Sequence, residues 1–187
     1  MSSPKALLPF GDETFASSIA RKVAACGIPF IYLIAGSHHQ QIRENLPRSL
    51  GVDVIFNMRF KEGQISSLKE GVRNLPTGST EVLVWPVDQP LVRKETVQQL
   101  VDTFHQHRKH LTIPVREGKR GHPVIYDLVA IHTIMGLSSS HTAKEVQTTF
   151  ENETSLVEVN DPGILIDIDT PEDYRDYIIG VGPSSTG

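Results

Sequence analysis

Between Glu81 and Pro90 an apolar run, Val82-Leu83-Val84-Trp85, passes through Pro86-Val87 into Asp88-Gln89-Pro90. A short run with almost no polar alternation reads as a parallel strand buried on both faces, which commits the chain to a sheet covered by helices on each side. In open sheets of this kind ligands collect outside the carboxyl ends of the strands, which is where Asp88 falls. A following proline restrains the backbone and cannot extend the sheet. The carboxylate is thus well placed to hold a divalent metal against a phosphate.

The surrounding pattern alternates strands with helices, as expected of βα units around a mostly parallel sheet. Asp12 can cap a helix that carries Phe15, Ile19 and Val23 on one stripe and ends near Gly27. Ile28 to Ala35 reads as a strand, Gln40 to Asn45 as a short helix and Val52 to Phe56 as the next strand. Gly63 opens a helix through Asn74, Glu81 to Val87 is the strand already described, and Lys94 to Arg108 is helical with Val97, Leu100, Val101 and Phe104 inward. Leu111 to Val115 and Val124 to Tyr126 predict two strands around the turn Glu117-Gly118-Lys119-Arg120-Gly121. Helices are expected at Leu128 to Met135 and Thr142 to Phe150, and strands at Leu156 to Val159 and Ile164 to Ile168. Pro171 suits the first turn of a last helix through Tyr177.

Composition narrows the class of partner. With 187 residues, 39% of them hydrophobic and 21% charged, the chain can bury one core, and a single domain over residues 1–180 is expected. The tail from 181 to 187 reads as disordered. A net charge of −4 gives no basic footprint for nucleic acid. No apolar run reaches the ~20 residues that span a bilayer, and the first residues lack a signal-peptide layout, so a cytoplasmic location without membrane partners is expected. The single cysteine, Cys26, lies in an apolar helical context and reads as a small buried hydrophobe.

A second acidic segment is Asp167-Ile168-Asp169-Thr170-Pro171-Glu172-Asp173. Strand alternation puts Asp167 and Asp169 on one side, and Thr170-Pro171 starts a helix with an acidic first turn. Taken alone, Asp169 and Glu172 read first as ordinary cap and dipole residues; paired with Asp88 at the end of another strand, the segment also reads as part of a two-carboxylate cradle for Mg2+ and a nucleoside triphosphate. The run His105-Gln106-His107-Arg108-Lys109-His110 reads as a solvated helix end, because His105 and His107 fall on different faces. His38-His39 follows a strand end, where a ligand contact is one reading.

Five segments occur in a fixed order: Lys5-Ala6-Leu7-Leu8-Pro9-Phe10-Gly11, Gly63-Gln64-Ile65-Ser66-Ser67-Leu68-Lys69, Asp88-Gln89-Pro90, Arg120-Gly121-His122-Pro123 and Asp167 to Asp173. In that order they resemble the molybdenum cofactor cytidylyltransferases, within the nucleotidyltransferases of the nucleotide-diphospho-sugar transferase fold. The likeness runs from Pro4 to about Tyr177. It implies a Rossmann-like three-layer α/β/α sandwich and transfer of CMP from CTP to the phosphate of molybdopterin, with Mg2+ as cofactor and pyrophosphate released. It further implies CTP or another NTP and a molybdopterin-type cofactor as ligands, with a molybdoenzyme or its chaperone as a potential partner.

By the same resemblance Lys5 meets phosphate oxygens, to which it offers a point charge. Gly63, Ser66 and Ser67 lie by the nucleotide base, at a helix start whose N–H groups and hydroxyls are suited to a base or phosphate; a plain helix cap is the other reading. Asp88 and Asp169 hold the metal. Arg120 and His122 face the acceptor, as binding groups, because phosphoryl chemistry of this kind depends mainly on positioning and charge neutralisation; a histidine hydrogen-bonded inside a turn is the other reading of His122.

The beginning of the chain departs from the pattern. Related chains carry a strand and a Leu-Ala-Ala-Gly-x-Ser-x-Arg-Met-Gly loop before the Lys-x-Leu-Leu-Pro segment, and Met1 falls on the internal methionine of that motif. The loop brings N–H groups and an arginine to the triphosphate, and the strand lies in the centre of the sheet. Losing a central strand orphans roughly ten backbone groups at about 1–3 kcal/mol each. Three expectations follow: the natural chain starts earlier, or this is a shortened relative without catalysis, or the neighbouring strands close the gap. The first is favoured by the position of Met1. Two functions are carried forward, an Mg2+-dependent cytidylyltransferase with little activity in the 187-residue form, and a non-catalytic relative that binds a cofactor or a partner.

Overall fold

The computed structural model describes residues 3–138 and 141–180. The expected tail at 181–187 and Met1 lie outside the described residues. After a 3-10 turn at Lys5–Leu7 a small hairpin, β1 (Pro9–Phe10) with β2 (Glu13–Thr14), leads into α1 (Phe15–Ala25). The cap of α1 is Thr14, not Asp12: the Thr14 hydroxyl accepts from the Ser17 N–H, while Asp12 stays exposed in the hairpin turn. β3 (Ile31–Ala35), α2 (His39–Asn45), β4 (Val52–Phe56) and α3 (Gln64–Arg73) follow near the expected boundaries, and then β5 (Glu81–Val84) and α4 (Lys94–His107). β6 (Leu111–Arg116), the two-residue β7 (Lys119–Arg120) and β8 (Val124–Asp127) precede α5 (Leu128–Gly136), α6 (Ala143–Thr149), β9 (Thr154–Glu158) and α7 (Pro171–Tyr174).

These elements form a three-layer α/β/α sandwich whose sheet is interrupted. β3 pairs with β4 in parallel. The larger part runs β5-β8-β6-β7, with β9 on β6. β8 is antiparallel to both β5 and β6, and β9 is parallel to β6, so β5, β6 and β9 share one direction while β8 and β7 oppose it. The alternation along the strands sorts side chains into two layers. Leu83, Trp85 and Ile125 pack with Val97, Leu100 and Phe104 of α4, whereas Val82, Val84, Val124 and Tyr126 pack with Ile65 of α3 and with Ile131 and Ile134 of α5. A third, smaller cluster under β3 and β4 joins Ala6, Ala16, Ala35, Ile42, Leu46 and Val54.

Three expectations are corrected. β5 is not a parallel strand buried on both faces: its one partner among the described residues is the antiparallel β8, and Val82 to Trp85 are all half-buried. It also stops at Val84, because Pro86 lacks the N–H for a further ladder bond and its carbonyl instead accepts from the Gln89 N–H, closing a turn. Ile164 to Ile168 is not a strand but a 3-10 turn, Pro162–Leu165, followed by extended backbone. Asp161 explains this turn. Buried at 2% exposure, its carboxylate takes the Gly163 N–H, the Arg93 N–H and the Thr96 hydroxyl.

The neighbouring strands do not close the sheet. A cavity of about 1530 Å3 lies between β3 and β5, bounded by α1 on one side and α3 on the other.

Candidate functional site

The segment after β5 and the segment before α7 are joined where the Ile168 N–H donates to the Asp88 carbonyl at 2.8 Å. Ile168 is fully buried, and the residues on either side of it, Asp167 and Asp169, are exposed on the same face, as strand alternation requires. That single bond brings the two carboxylates of interest together. The Lys5 ammonium sits between them, 3.3 Å from Asp88 Oδ2 and in a short contact with Asp169 Oδ1. Burial works against the charge on Lys5, but its hydrogen bond to Asp169 and the charge of Asp88 outweigh that, and its pKa is raised above the ordinary lysine value.

Local structure fixes each partner. Lys5 opens the first 3-10 turn, held by the Leu8 N–H on its carbonyl, and neighbouring Ala6 is buried. Thr170 and Asp173 form a reciprocal capping box at the start of α7, and the Asp173 carboxylate also accepts from the Asp169 N–H. The Tyr174 hydroxyl donates to the Pro9 carbonyl at 2.8 Å, tying α7 to the hairpin that follows Lys5. Asp88 is followed by Gln89, buried at 4% exposure, whose Nε2 donates to Asp167 at 2.7 Å and whose carbonyl accepts from the Trp85 indole.

These residues suit a hard divalent cation. Asp88 and Asp169 already converge on one positive centre, and both are oxygen donors. Their side chains are 27% and 61% exposed, which leaves room for water and phosphate oxygens in the remaining positions. Mg2+ is commonly held that way, by one or two carboxylates plus substrate phosphates. No third His, Cys, Asp or Glu joins them in a metal-ligating group among the described residues.

The other expected site residues line the cavity rather than the carboxylate pair. Gly63, Ser67, Arg120 and His122 all face it. Gly63 caps α3 with φ +91°, a conformation that favours glycine. Ser66 is buried, and its hydroxyl accepts from Asn57 Nδ2 at 2.9 Å and donates to the carbonyl of Gly63 or Arg59, so it braces the loop. Ser67 shares the same Asn57 amide at 3.1 Å. Asn57, 1% exposed at the carboxyl end of β4, is the residue that sequence reasoning missed; its place directly after a strand was the available signal.

Arg120 is paired with the exposed Glu151, whose carboxyl is held below its usual range by that contact. Gly121 is required by space: a Cβ there would come within 2.3 Å of the Ile164 carbonyl oxygen. The close approach lets the His122 N–H reach the same carbonyl at 3.2 Å. His122 is buried enough to push its pKa below that of a free imidazole, against the opposing charges of Asp167 and Asp88. Its Nδ1 is buried without a hydrogen-bond partner among the described residues. Lys22, also missed, lies beneath the Asp88 turn and donates to the carbonyls of Pro90 and Val92. The helix-end histidines diverge, His105 toward Glu81, His107 toward Ser155 and His110 toward Asp127. His39 bonds back to Gly36 and stacks on Phe56.

Residues 1–154 match the model of the MobA-like NTP transferase domain. The chain belongs to that family. It is a MobA-like member of the nucleotidyltransferases, and its fold is theirs. The molybdenum cofactor cytidylyltransferase of Escherichia coli (strain K12) is 22% identical over 172 residues, which cover 91% of this chain and 84% of that protein. Among solved structures, Rv0371c from Mycobacterium tuberculosis H37Rv superposes with a TM-score of 0.83 at 21% identity, covering 96% of this chain and 90% of that one. A manganese complex of the same mycobacterial protein has a TM-score of 0.76 at 21% identity, over 95% and 93% of the two chains. Asp169 lies beyond the matched segment, so the family assignment and the convergence of Asp169 with Asp88 are independent observations. No helix among the described residues is long and apolar enough to cross a membrane.

Proposed function

We propose that this MobA-like chain is a divalent-cation-dependent cytidylyltransferase, in which residues 1–180 act as one unit. An oxygen of the molybdopterin phosphate attacks the α-phosphorus of CTP, the bond from that phosphorus to the β-phosphate oxygen breaks, and pyrophosphate leaves. The observation that carries this reading is the convergence of Asp88 and Asp169 on one positive centre at the carboxyl end of β5. The cytidylyl specificity and the acceptor follow the Escherichia coli relative, and the choice of a divalent cation is supported by the manganese complex of the mycobacterial one.

Asp88 and Asp169 hold the cation, Mg2+ in this reading, which when bound neutralises charge building on the phosphate oxygens. Lys5 then turns from the carboxylates to the triphosphate as a point charge. Gly63 and Ser67 face the base, with Ser66 bracing their loop. Arg120 and His122 face the acceptor, and the unpartnered His122 Nδ1 is the polar atom left for it. A molybdoenzyme or its chaperone would receive the product.

One observation favours a second reading, a non-catalytic relative that binds a cofactor or partner: Lys5 already spans both carboxylates, so a cation must compete with it. Pyrophosphate release with CTP, GTP and ATP, in the presence of molybdopterin and Mg2+ or Mn2+, decides between them. The first reading expects release fastest with CTP and at least ~100-fold lower in Asp88→Asn. Nucleotide or pterin binding with no release under any of these conditions supports the second.

A further inference from the structure

The helix α1 turns Ala16, Ile19, Ala20 and Val23 toward the cavity, and Lys22 toward the segment that follows β5. That segment, residues 88–93, begins with Asp88 and is fastened at three points by residues 161–168. The Ile168 N–H reaches the Asp88 carbonyl, Gly163 lies against the backbone of Leu91, and the Asp161 carboxylate takes the Arg93 N–H. The carbonyls of Pro90 and Val92 are left over. Both residues are buried, and no backbone N–H among the described residues reaches either oxygen. The Lys22 ammonium donates to both. It also stands 5.4 Å from the centre of the Phe10 ring and 6.0 Å from that of Trp85, within range of cation–π attraction. Phe10 lies five residues after Lys5 in the chain, and Trp85 belongs to the Asp88 turn through its bond to the Gln89 carbonyl. One side chain thus touches both segments whose charged groups meet in the Lys5–Asp88 contact. Burial pushes the Lys22 pKa below the ordinary lysine value, against the charges of Glu13, Asp161 and Glu95. An apolar side chain would avoid that cost but would leave two buried carbonyls unpaired.

We infer that Lys22 is a positioning residue for the candidate cation site, which rests on the reading of Asp88 and Asp169 as the cation's ligands: its ammonium, by gathering the Pro90 and Val92 carbonyls and the Phe10 ring, holds the Asp88 turn in place against the Lys5 segment. Lys22 acts through the backbone, since its hydrogen bonds go to the carbonyls of Pro90 and Val92 and to neither carboxylate. Its charge taken alone has the contrary effect, because a further cation near the site repels a metal ion. The two influences differ in sign. Removing Lys22 tightens metal binding if only its charge matters, and weakens it if its hold on the turn matters.

The test uses the full chain. Lys22→Met keeps the length of the side chain and removes its donors, whereas Lys22→Arg restores both donors and charge. Mn2+ affinity is read by water-proton relaxation. Amide exchange is followed without metal at Gln89 and Ile168, whose N–H groups close the Asp88 turn. Ile134→Val, at a buried position of α5, is the control for lost stability alone. Lys22→Met is expected to bind Mn2+ about threefold more weakly or worse and to exchange both amides about tenfold faster. Lys22→Arg recovers most of both, and Ile134→Val stays near the wild type. Should Lys22→Met fail to fold, Lys22→Gln, which keeps a donor without the charge, replaces it, with smaller losses in the same direction. Unchanged or tighter Mn2+ binding without Lys22 overturns the proposal, as do equal losses in Ile134→Val or no recovery in Lys22→Arg. A wild type that binds no Mn2+ overturns the cation reading instead. Lys22 is then judged on exchange alone: faster at Gln89 and Ile168 in Lys22→Met and restored in Lys22→Arg upholds its grip on the turn, and no change overturns it.

Discussion

At the scale of single residues, Lys5, Asp88 and Asp169 behave as one electrostatic unit, and this makes the two carboxylates separable by measurement. Asp88 is the more enclosed of the two and Asp169 the more exposed. Asp88→Asn and Asp169→Asn are each expected to weaken Mn2+ binding by ~10-fold or more, read by water-proton relaxation, whereas Lys5→Met tightens it by removing the competing ammonium. Unchanged Mn2+ binding in Lys5→Met would mean that the lysine does not compete for that position. His122 gives a prediction of opposite character. Its folded pKa lies below the ordinary histidine value of 6.5, so around and below that value the unfolded chain binds the proton more readily than the folded one does. Stability contributed by the neutral imidazole is thus fully present above pH ~6.5 and is lost as pH falls toward the folded value. Denaturant midpoints measured from pH 7.5 to 5 should fall more steeply for the wild type than for His122→Gln. The position of Asp88 beyond a strand end was legible because a strand followed by a turn-forming proline is a local pattern. The bracing role of Ser66 was not, since the Asn57 amide that donates to it lies just after the preceding strand and only packing brings them together.

At the scale of elements, the boundaries that sequence reasoning displaced are those decided by a tertiary contact. Thr14 and Asp12 are both good caps by type, and the hairpin register, Phe10 opposite Glu13, makes Thr14 the residue that enters the helix. The stretch Ile164 to Ile168 has strand composition, but Asp161 and the contact of Gly163 with Leu91 turn it before a ladder can form. The helices over Lys94 to His107 and Gln64 to Arg73 were legible because their apolar stripes are long enough to fix the period. The capping box of α7 carries a prediction: Thr170→Ala should lower unfolding free energy by about 0.5–2 kcal/mol and also weaken Mn2+ binding, because Asp173 holds the Asp169 backbone. Loss of stability with unchanged metal affinity would separate the cap from the site. Gly121→Ala is expected to cost about 1–3 kcal/mol, since the new methyl meets a backbone carbonyl that has no flexible end to yield. A midpoint shift within experimental scatter would contradict that contact.

At the scale of the whole molecule, the interrupted sheet divides the stability. The β3–β4 part rests on a small cluster dominated by alanines, whereas the larger part has two clusters built on Leu100, Phe104, Leu111, Ile113 and Tyr126. Less apolar area per residue means a lower opening free energy, so amides of β3 and β4 should exchange well before those of β6 and β8. Uniform exchange across all four strands would show that the two parts open together. The three-layer class was legible from alternating patterns alone. The break was legible only through the resemblance, which puts a central strand before Lys5; β3 and β5 each read as interior strands, and only their arrangement shows the unpaired edge. The bond from Ile168 to Asp88 has a consequence of another kind. A cut after Leu165 would remove Asp169 and the Tyr174 clasp on Pro9, and with them the fully buried Ile168 and the Tyr174 ring stacked on Phe15, so the candidate cation grip and the packing beneath it stand or fall together.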